Sequence, residues 1–177
     1  MARIKTKIFT IPNILSILRL PFALIIILVP NKTLAVGLLF FTLFLDILDG
    51  YLARRWKQVS RLGAILDAVF DRLFVFIIFV FYFIKLELAI PFLVMFMLRD
   101  ITTSLMGLTA IILKFNTKVL KAQISGKITT LFQVVCLAFM IMEQIDFVKY
   151  SLYATFVVSV VASIDYLLYV KHNWKKI

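Results

Sequence analysis

Residues 46–71 read DILDGYLARRWKQVSRLGAILDAVFD. Four of the chain's nine acidic residues, Asp46, Asp49, Asp67 and Asp71, fall in this stretch as two pairs, with long apolar runs on either side. On a helix, Asp46, Asp49, Gly50 and Ala53 stack on one face, because positions i, i+3, i+4 and i+7 do. By the same rule Gly63, Asp67 and Asp71 share a face of a second helix. A short basic segment joins the two helices, which predicts antiparallel neighbours. Turned inward, the two faces bring four carboxylates together. Gly50, Ala53 and Gly63 then leave room for a backbone or a ligand to come close.

Working outward, the whole 177-residue chain is 63% hydrophobic with only five glycines. A soluble domain cannot hide that much apolar surface, so the expected solvent is a lipid bilayer and the expected fold is an all-α polytopic membrane protein. Six hydrophobic segments, roughly 14–30, 34–54, 63–84, 88–113, 122–143 and 148–170, each approach the length needed to span. Residues 1–12 mix Arg3, Lys5 and Lys7 with Ile4, Ile8, Phe9 and Ile11, which suits a short amphipathic segment on the interface ending near Pro12. No polar stretch or Pro/Gly/Ser-rich linker is long enough to mark a second domain, so one domain over 1–177 is expected. The basic start leads into PNILSILRLP with no small-residue cleavage site, unlike a signal peptide.

The formal net charge is +11. Its basic residues punctuate apolar segments instead of forming an aromatic-interleaved stripe, which argues against nucleic acid and for anionic lipid head groups. Counting Lys and Arg puts fifteen on the side of both termini and of the loops after spans two and four, against Lys32, Lys85 and Lys149 on the other. The positive-inside rule therefore predicts six spans with both ends cytoplasmic, and places the aspartate stretch at the cytoplasmic side. The lone Cys136 sits in an apolar run as a small packing residue.

A carboxylate at mid-membrane depth costs roughly 3 kcal/mol, and four together repel one another unless cations neutralise them. Ion pairs with Arg54 or Arg72 are the purely structural alternative. All-oxygen ligation favours hard divalent ions, Mg²⁺ or Mn²⁺, and two such ions on shared carboxylates suit phosphoryl chemistry.

The pattern Asp46-x2-Asp49-Gly50-x2-Ala53-Arg54-x8-Gly63-x3-Asp67-x3-Asp71 resembles, at every fixed position, the signature of the CDP-alcohol phosphotransferase family. IPNILSILRLP, with Asn13, Ser16, Arg19 and Pro21, LRD at 98–100 and SGKITTLFQ at 125–133 are similar to segments of its phosphatidylglycerophosphate synthase branch. The resemblance implies transfer of a phosphatidyl group from CDP-diacylglycerol to glycerol 3-phosphate with release of CMP, in phospholipid biosynthesis at the cell's inner membrane. It implies metal ligation by Asp46, Asp49, Asp67 and Asp71, with Asp71 also the general base. It puts Asn13, Ser16, Gly50, Ala53, Arg54, Ser60 and Gly63 at the CDP-diacylglycerol site, and it implies a homodimer. Where relatives often read LDP-x-ADK, this chain reads Leu66-Asp67-Ala68-Val69-Phe70-Asp71-Arg72, so Phe70 stands for a small residue beside the proposed base.

The acceptor carries its own anion and needs cations. Arg99 leads the candidates, since a charge after the apolar run LVMFML needs a reason; the alternative is an ion pair with Asp100. Lys118, Lys121 and Lys127 follow. Lys127 sits in a GK-x-T segment, Gly126 to Thr129 followed by Thr130, that the same branch carries, whereas Lys118 and Lys121 equally suit an ordinary cytoplasmic loop. Gln133 reads as a polar contact or a helix–helix hydrogen bond. His172 reads as interfacial, Asp165 is undecided, and Tyr150, Tyr153 and Trp174 fit an aromatic belt. Phosphatidylglycerol as acceptor, in a cardiolipin synthase, or an inositol phosphate would use the same chemistry. A divalent-cation transporter is the alternative from another class, though its usual broken helices and internal repeats are missing here.

Overall fold

A computed structural model describes residues 11–55, 61–112 and 124–174, with side chains at 11–15, 49–54, 61–66, 68, 106–112, 124–125, 166 and 169–174 outside the description. Six helices account for the described chain: α1 Ile11–Leu28, α2 Lys32–Arg55, α3 Arg61–Lys85, α4 Ile90–Ile112, α5 Ile124–Ile141 and α6 Ile145–Trp174. They coincide with the six apolar segments of the sequence to within a few residues at most ends. Most of the expected interfacial segment 1–12 lies outside the described residues. Pro12, expected to end it, instead sits in the first turn of α1, where a missing N–H breaks no helical bond.

Local chemistry explains where the helices stop. Pro30 follows α1, and the Asn31 side chain accepts the backbone N–H of Leu34 at 3.1 Å, capping α2. The α5–α6 turn closes through two bonds, Glu143 N–H to the Met140 carbonyl at 3.0 Å and Gln144 N–H to the Phe139 carbonyl at 3.2 Å. This is a Schellman turn, and its left-handed position, φ 57°, is held by Glu143 where glycine is usual. Glu87, at φ 50°, takes the same conformation between α3 and α4.

The chain forms two compact units, Met1–Lys85 and Leu86–Ile177. In the first, α1 packs against both α2 and α3. Its buried stripe is Ser16, Arg19, Ala23 and Ile26; α2 presents Ala35, Leu39 and Thr42, and α3 presents Phe74, Ile78 and Tyr82. The spacing of three and four is that of one helical face. Continuing those faces by one helical turn reaches Asp46 on α2 and Asp71, then Asp67, on α3. The acids therefore close one end of the same stripes that form the apolar core. The sequence had made α2 and α3 each other's neighbours; in the structure the partner they share is α1.

In the second unit α6 packs against α4 and α5. Its buried face, Val148, Ser151, Leu152, Thr155, Ser159, Ala162 and Ser163, is mostly small, which lets the helices approach closely. Ser151 and Thr155 return their hydroxyls to the carbonyls of Val148 and Ser151, and Thr102 of α4 bonds Ser163 of α6 at 3.0 Å. Cys136 is fully buried, as expected of a packing residue.

Both units wear apolar side chains outside. Leu28, Ile47, Ile84, Ile90, Leu131 and Val157, one from each helix in turn, are all largely exposed. Polar groups inside and aliphatic groups outside is the arrangement lipid favours. Among the described residues, Ile145–Asp165 of α6 is long and apolar enough by itself to cross a bilayer, and Ser16–Leu28 and Gly126–Ile141 form shorter apolar runs. Tyr150 and Tyr153 are exposed near the start of α6, and Tyr153 meets Phe92 of α4 edge to face at 5.8 Å between ring centres.

Candidate active site

Asp46, Asp67 and Asp71 converge at the end of the first unit. Each offers a carboxylate oxygen, and these oxygens all lie within 4.8 Å of one another. At that spacing two like charges repel by about 3 kcal/mol per pair at an effective dielectric of about 20, so the arrangement persists only with positive charge beside it. The structure supplies one such charge from an unexpected place. Arg19 of α1, only 3% exposed, sets Nη2 2.5 Å from Asp46 Oδ1 and 3.2 Å from Asp67 Oδ1, and pairs through Nη1 with Asp71. Ser16, one turn earlier, donates to Asp67 Oδ1 at 3.0 Å.

Arg54 and Arg72 had been the expected partners if the acids were structural. The Arg54 side chain lies outside the described residues, and among the described ones the cation found with the acids, Arg19, belongs to neither acid-bearing helix. Sequence reasoning had counted Arg19 as a cytoplasmic charge and as part of the segment resembling the synthase branch, but gave it no role among the acids. The signal was present, since Arg19 interrupts an apolar run just as Arg99 does and lies three residues from Ser16 on the buried stripe.

The remaining first-unit candidates are placed less fully. The backbones of Asn13, Asp49, Gly50, Ala53, Arg54 and Gly63 are helical, but their side chains lie outside the described residues, as do Ser60, Lys118 and Lys121 entirely. Phe70, the unusual neighbour of the proposed base, is half-buried.

The three acids also fit the ion their chemistry suggests. Carboxylate oxygens alone, close enough to share a centre, suit a hard divalent cation. Their side chains are 40–43% exposed, so an ion can reach them from outside while Arg19 closes the inner side.

A second polar cluster joins α4 to α5. Arg99 Nη1 lies 3.2 Å from Asp100 Oδ1 and donates to Thr130 Oγ1 at 3.3 Å. Gln133, 2% exposed, donates to Asp100 Oδ2 at 2.7 Å and to the Phe96 carbonyl at 3.1 Å, which is the second of the two readings open for it, a helix–helix bond. Thr130 donates in turn to the Gly126 carbonyl at 3.1 Å. The ion pair with Asp100 that had been the structural alternative for Arg99 is thus present, yet Arg99 Nε is buried without a hydrogen-bond partner among the described residues. Lys127 stands exposed on α5.

Gly126 has a steric reason to lack a side chain. A Cβ there would lie 2.7 Å from Arg99 Nη2. Gly126→Ala should therefore displace the guanidinium while changing stability by no more than about 1 kcal/mol, because the clash falls on a flexible tip and alanine favours a helix. Thermal unfolding of the variant checks this, with a melting temperature within a few degrees of the unaltered chain expected, on the order of the shift 1 kcal/mol produces in a domain of this size.

Residues 9–164 match the CDP-alcohol phosphatidyltransferase family, a span that includes both polar clusters. The chain belongs to this family. Among its relatives, the CDP-diacylglycerol–glycerol-3-phosphate 3-phosphatidyltransferase of Aquifex aeolicus is 37% identical over 127 residues, covering 69% of this chain and 70% of that protein. The enzyme of the same name from Haemophilus influenzae is 44% identical over 73 residues, 38% of this chain and 40% of its own. A cardiolipin synthase (CMP-forming) of Streptomyces coelicolor is 43% identical over 83 residues, 41% and 39%. These last two alignments span about two fifths of each relative. CDP-alcohol phosphatidyltransferases are membrane-bound transferases that use divalent metal ions, which agrees with an aliphatic exterior and a carboxylate cluster on one unit. Membership removes the ground for the transporter alternative.

Proposed function

We propose that this CDP-alcohol phosphatidyltransferase moves the phosphatidyl group of CDP-diacylglycerol onto glycerol 3-phosphate and releases CMP. The convergence of Asp46, Asp67 and Asp71 within 4.8 Å carries the reading, because phosphoryl transfer needs concentrated, positioned charge at the reacting phosphate. Two divalent ions, Mg²⁺ or Mn²⁺, held by these acids and Asp49, would polarise the diphosphate and stabilise the departing CMP. The chain's residues do the rest. Asp71 takes the proton from the acceptor hydroxyl, whose oxygen forms the new bond to the phosphatidyl phosphorus as the bond to the CMP oxygen breaks. Arg54 offers phosphate a bidentate fork, and Gly50, Ala53 and Gly63 keep the approach open, with Asn13, Ser16 and Ser60 contributing polar contacts to the nucleotide. Arg99 and Lys127, with Lys118 and Lys121, bind the acceptor's phosphate.

The same reading has the whole chain act as one catalytic domain, possessing six spans, both termini and the site on the cytoplasmic face of the inner membrane, and pairing as a homodimer. Six helices and the strong bias of basic residues to one side support the topology. The similarity to a cardiolipin synthase favours one second reading, with phosphatidylglycerol as acceptor. CMP release by the purified protein, with glycerol 3-phosphate, inositol phosphate, serine and phosphatidylglycerol offered in turn, decides between them. Glycerol 3-phosphate is expected to exceed each of the others by at least roughly tenfold. A preference for phosphatidylglycerol would move the chain to the second reading, and CMP release with none of them would end both.

A further inference from the structure

A guanidinium in the middle of three metal-ligating carboxylates sets a conflict. Arg19 reaches the Oδ1 atoms of Asp46, Asp67 and Asp71 together, from a position almost closed to solvent. A divalent ion would bind oxygens of the same three side chains at about 2.0–2.1 Å. The two cations would then lie within a few ångströms of each other, at a partly buried site where water screens them poorly. Before an ion arrives, the conflict reverses. Three carboxylates this close on α2 and α3 would push their helix ends apart, and the positive charge gathered among them, of the described residues, comes from α1, the helix that packs against both.

We propose that Arg19 is a tethered placeholder cation: it holds Asp46, Asp67 and Asp71 together in the metal-free protein, and the entering ion displaces it from them. The proposal rests on the reading of these acids as metal ligands. It makes Arg19 a positioning residue that preforms the site at the expense of metal affinity. A residue that merely oriented the ligands would do the opposite, and its loss would loosen the metal.

The test uses the full chain in detergent micelles, with Mn²⁺ as the probe, titrated by calorimetry and by the electron paramagnetic resonance signal of the free ion. Thermal unfolding is followed with and without Mn²⁺. Arg19→Met keeps the aliphatic bulk and removes the charge. It should bind Mn²⁺ on the order of tenfold more tightly than the unaltered chain. Without metal it should melt well below the unaltered chain, and Mn²⁺ should raise its melting temperature by clearly more. Equal or weaker Mn²⁺ binding by Arg19→Met overturns the proposal.

Should Arg19→Met fail to fold even with Mn²⁺, Arg19→Lys carries the test. Its compact ammonium cannot span three carboxylates, so Mn²⁺ binding should tighten severalfold and the metal-induced rise in melting temperature should grow. No change in either measurement overturns the proposal. Asp67→Asn separates the two levels of inference. If the unaltered chain binds no Mn²⁺, or binds it no better than Asp67→Asn, the metal-site reading itself fails and not the role of Arg19.

Discussion

Asp71→Asn is expected to abolish transfer, lowering kcat for CMP release by roughly 10³-fold or more, while the protein stays folded and continues to bind nucleotide. The amide keeps the size of the side chain and its place on the buried face of α3. It loses the ability to take a proton, and it loses the negative charge that pairs with Arg19. The second loss weakens the cluster without dissolving it, since Arg19 still has Asp46 and Asp67. The measurement pairs single-turnover CMP release with nucleotide binding and a melting curve. Full activity in the variant would remove the base assignment, and a chain that no longer melts cooperatively would show that Asp71 is needed first for folding.

Removing divalent metal should have an effect of similar size. Chelation is expected to bring CMP release down to background, a loss of at least roughly 10³-fold, and readdition of Mg²⁺ or Mn²⁺ should restore it. Acids that converge this closely are ill suited to bind a diphosphate on their own, because anion would then meet anion. Arg19 is too little positive charge to reverse that sign. Activity that persisted under thorough chelation would require the site to handle the diphosphate with arginines alone. The carboxylates would then be structural partners of Arg19.

Much of the architecture could be read from the one-dimensional pattern. Apolar runs of membrane length, few glycines, and prolines confined to 12, 21, 30 and 91 dictate six helices, because a backbone in lipid must satisfy its own hydrogen bonds. The aspartate pairs could be read as well. A spacing of three or four fixes a shared helical face whatever the helix packs against, so Asp67 and Asp71 had to point the same way. Gln133 was legible only as a pair of options, since periodicity says that a polar group faces a neighbouring helix but not which acceptor it meets there. Phe96 and Asp100 lie 37 and 33 residues away, and only packing brings them to it.

Helical period is thus a local property, and on its own it determined the number and nature of the elements, the polar stretch that interrupts them, and the chemistry that four acids imply. What counts as the inside of a bundle depends on which helix lies against which, and that is settled by the packing of whole surfaces. Tertiary structure alone decided that α1 packs against both acid-bearing helices. It decided that the cation set among Asp46, Asp67 and Asp71 is Arg19, from 27 residues before the first of them. It decided too that Gly126 is bare because the Arg99 guanidinium needs the space a Cβ would take. Each of these pairs residues far apart in the chain, a relation that no repeat of three or four can encode.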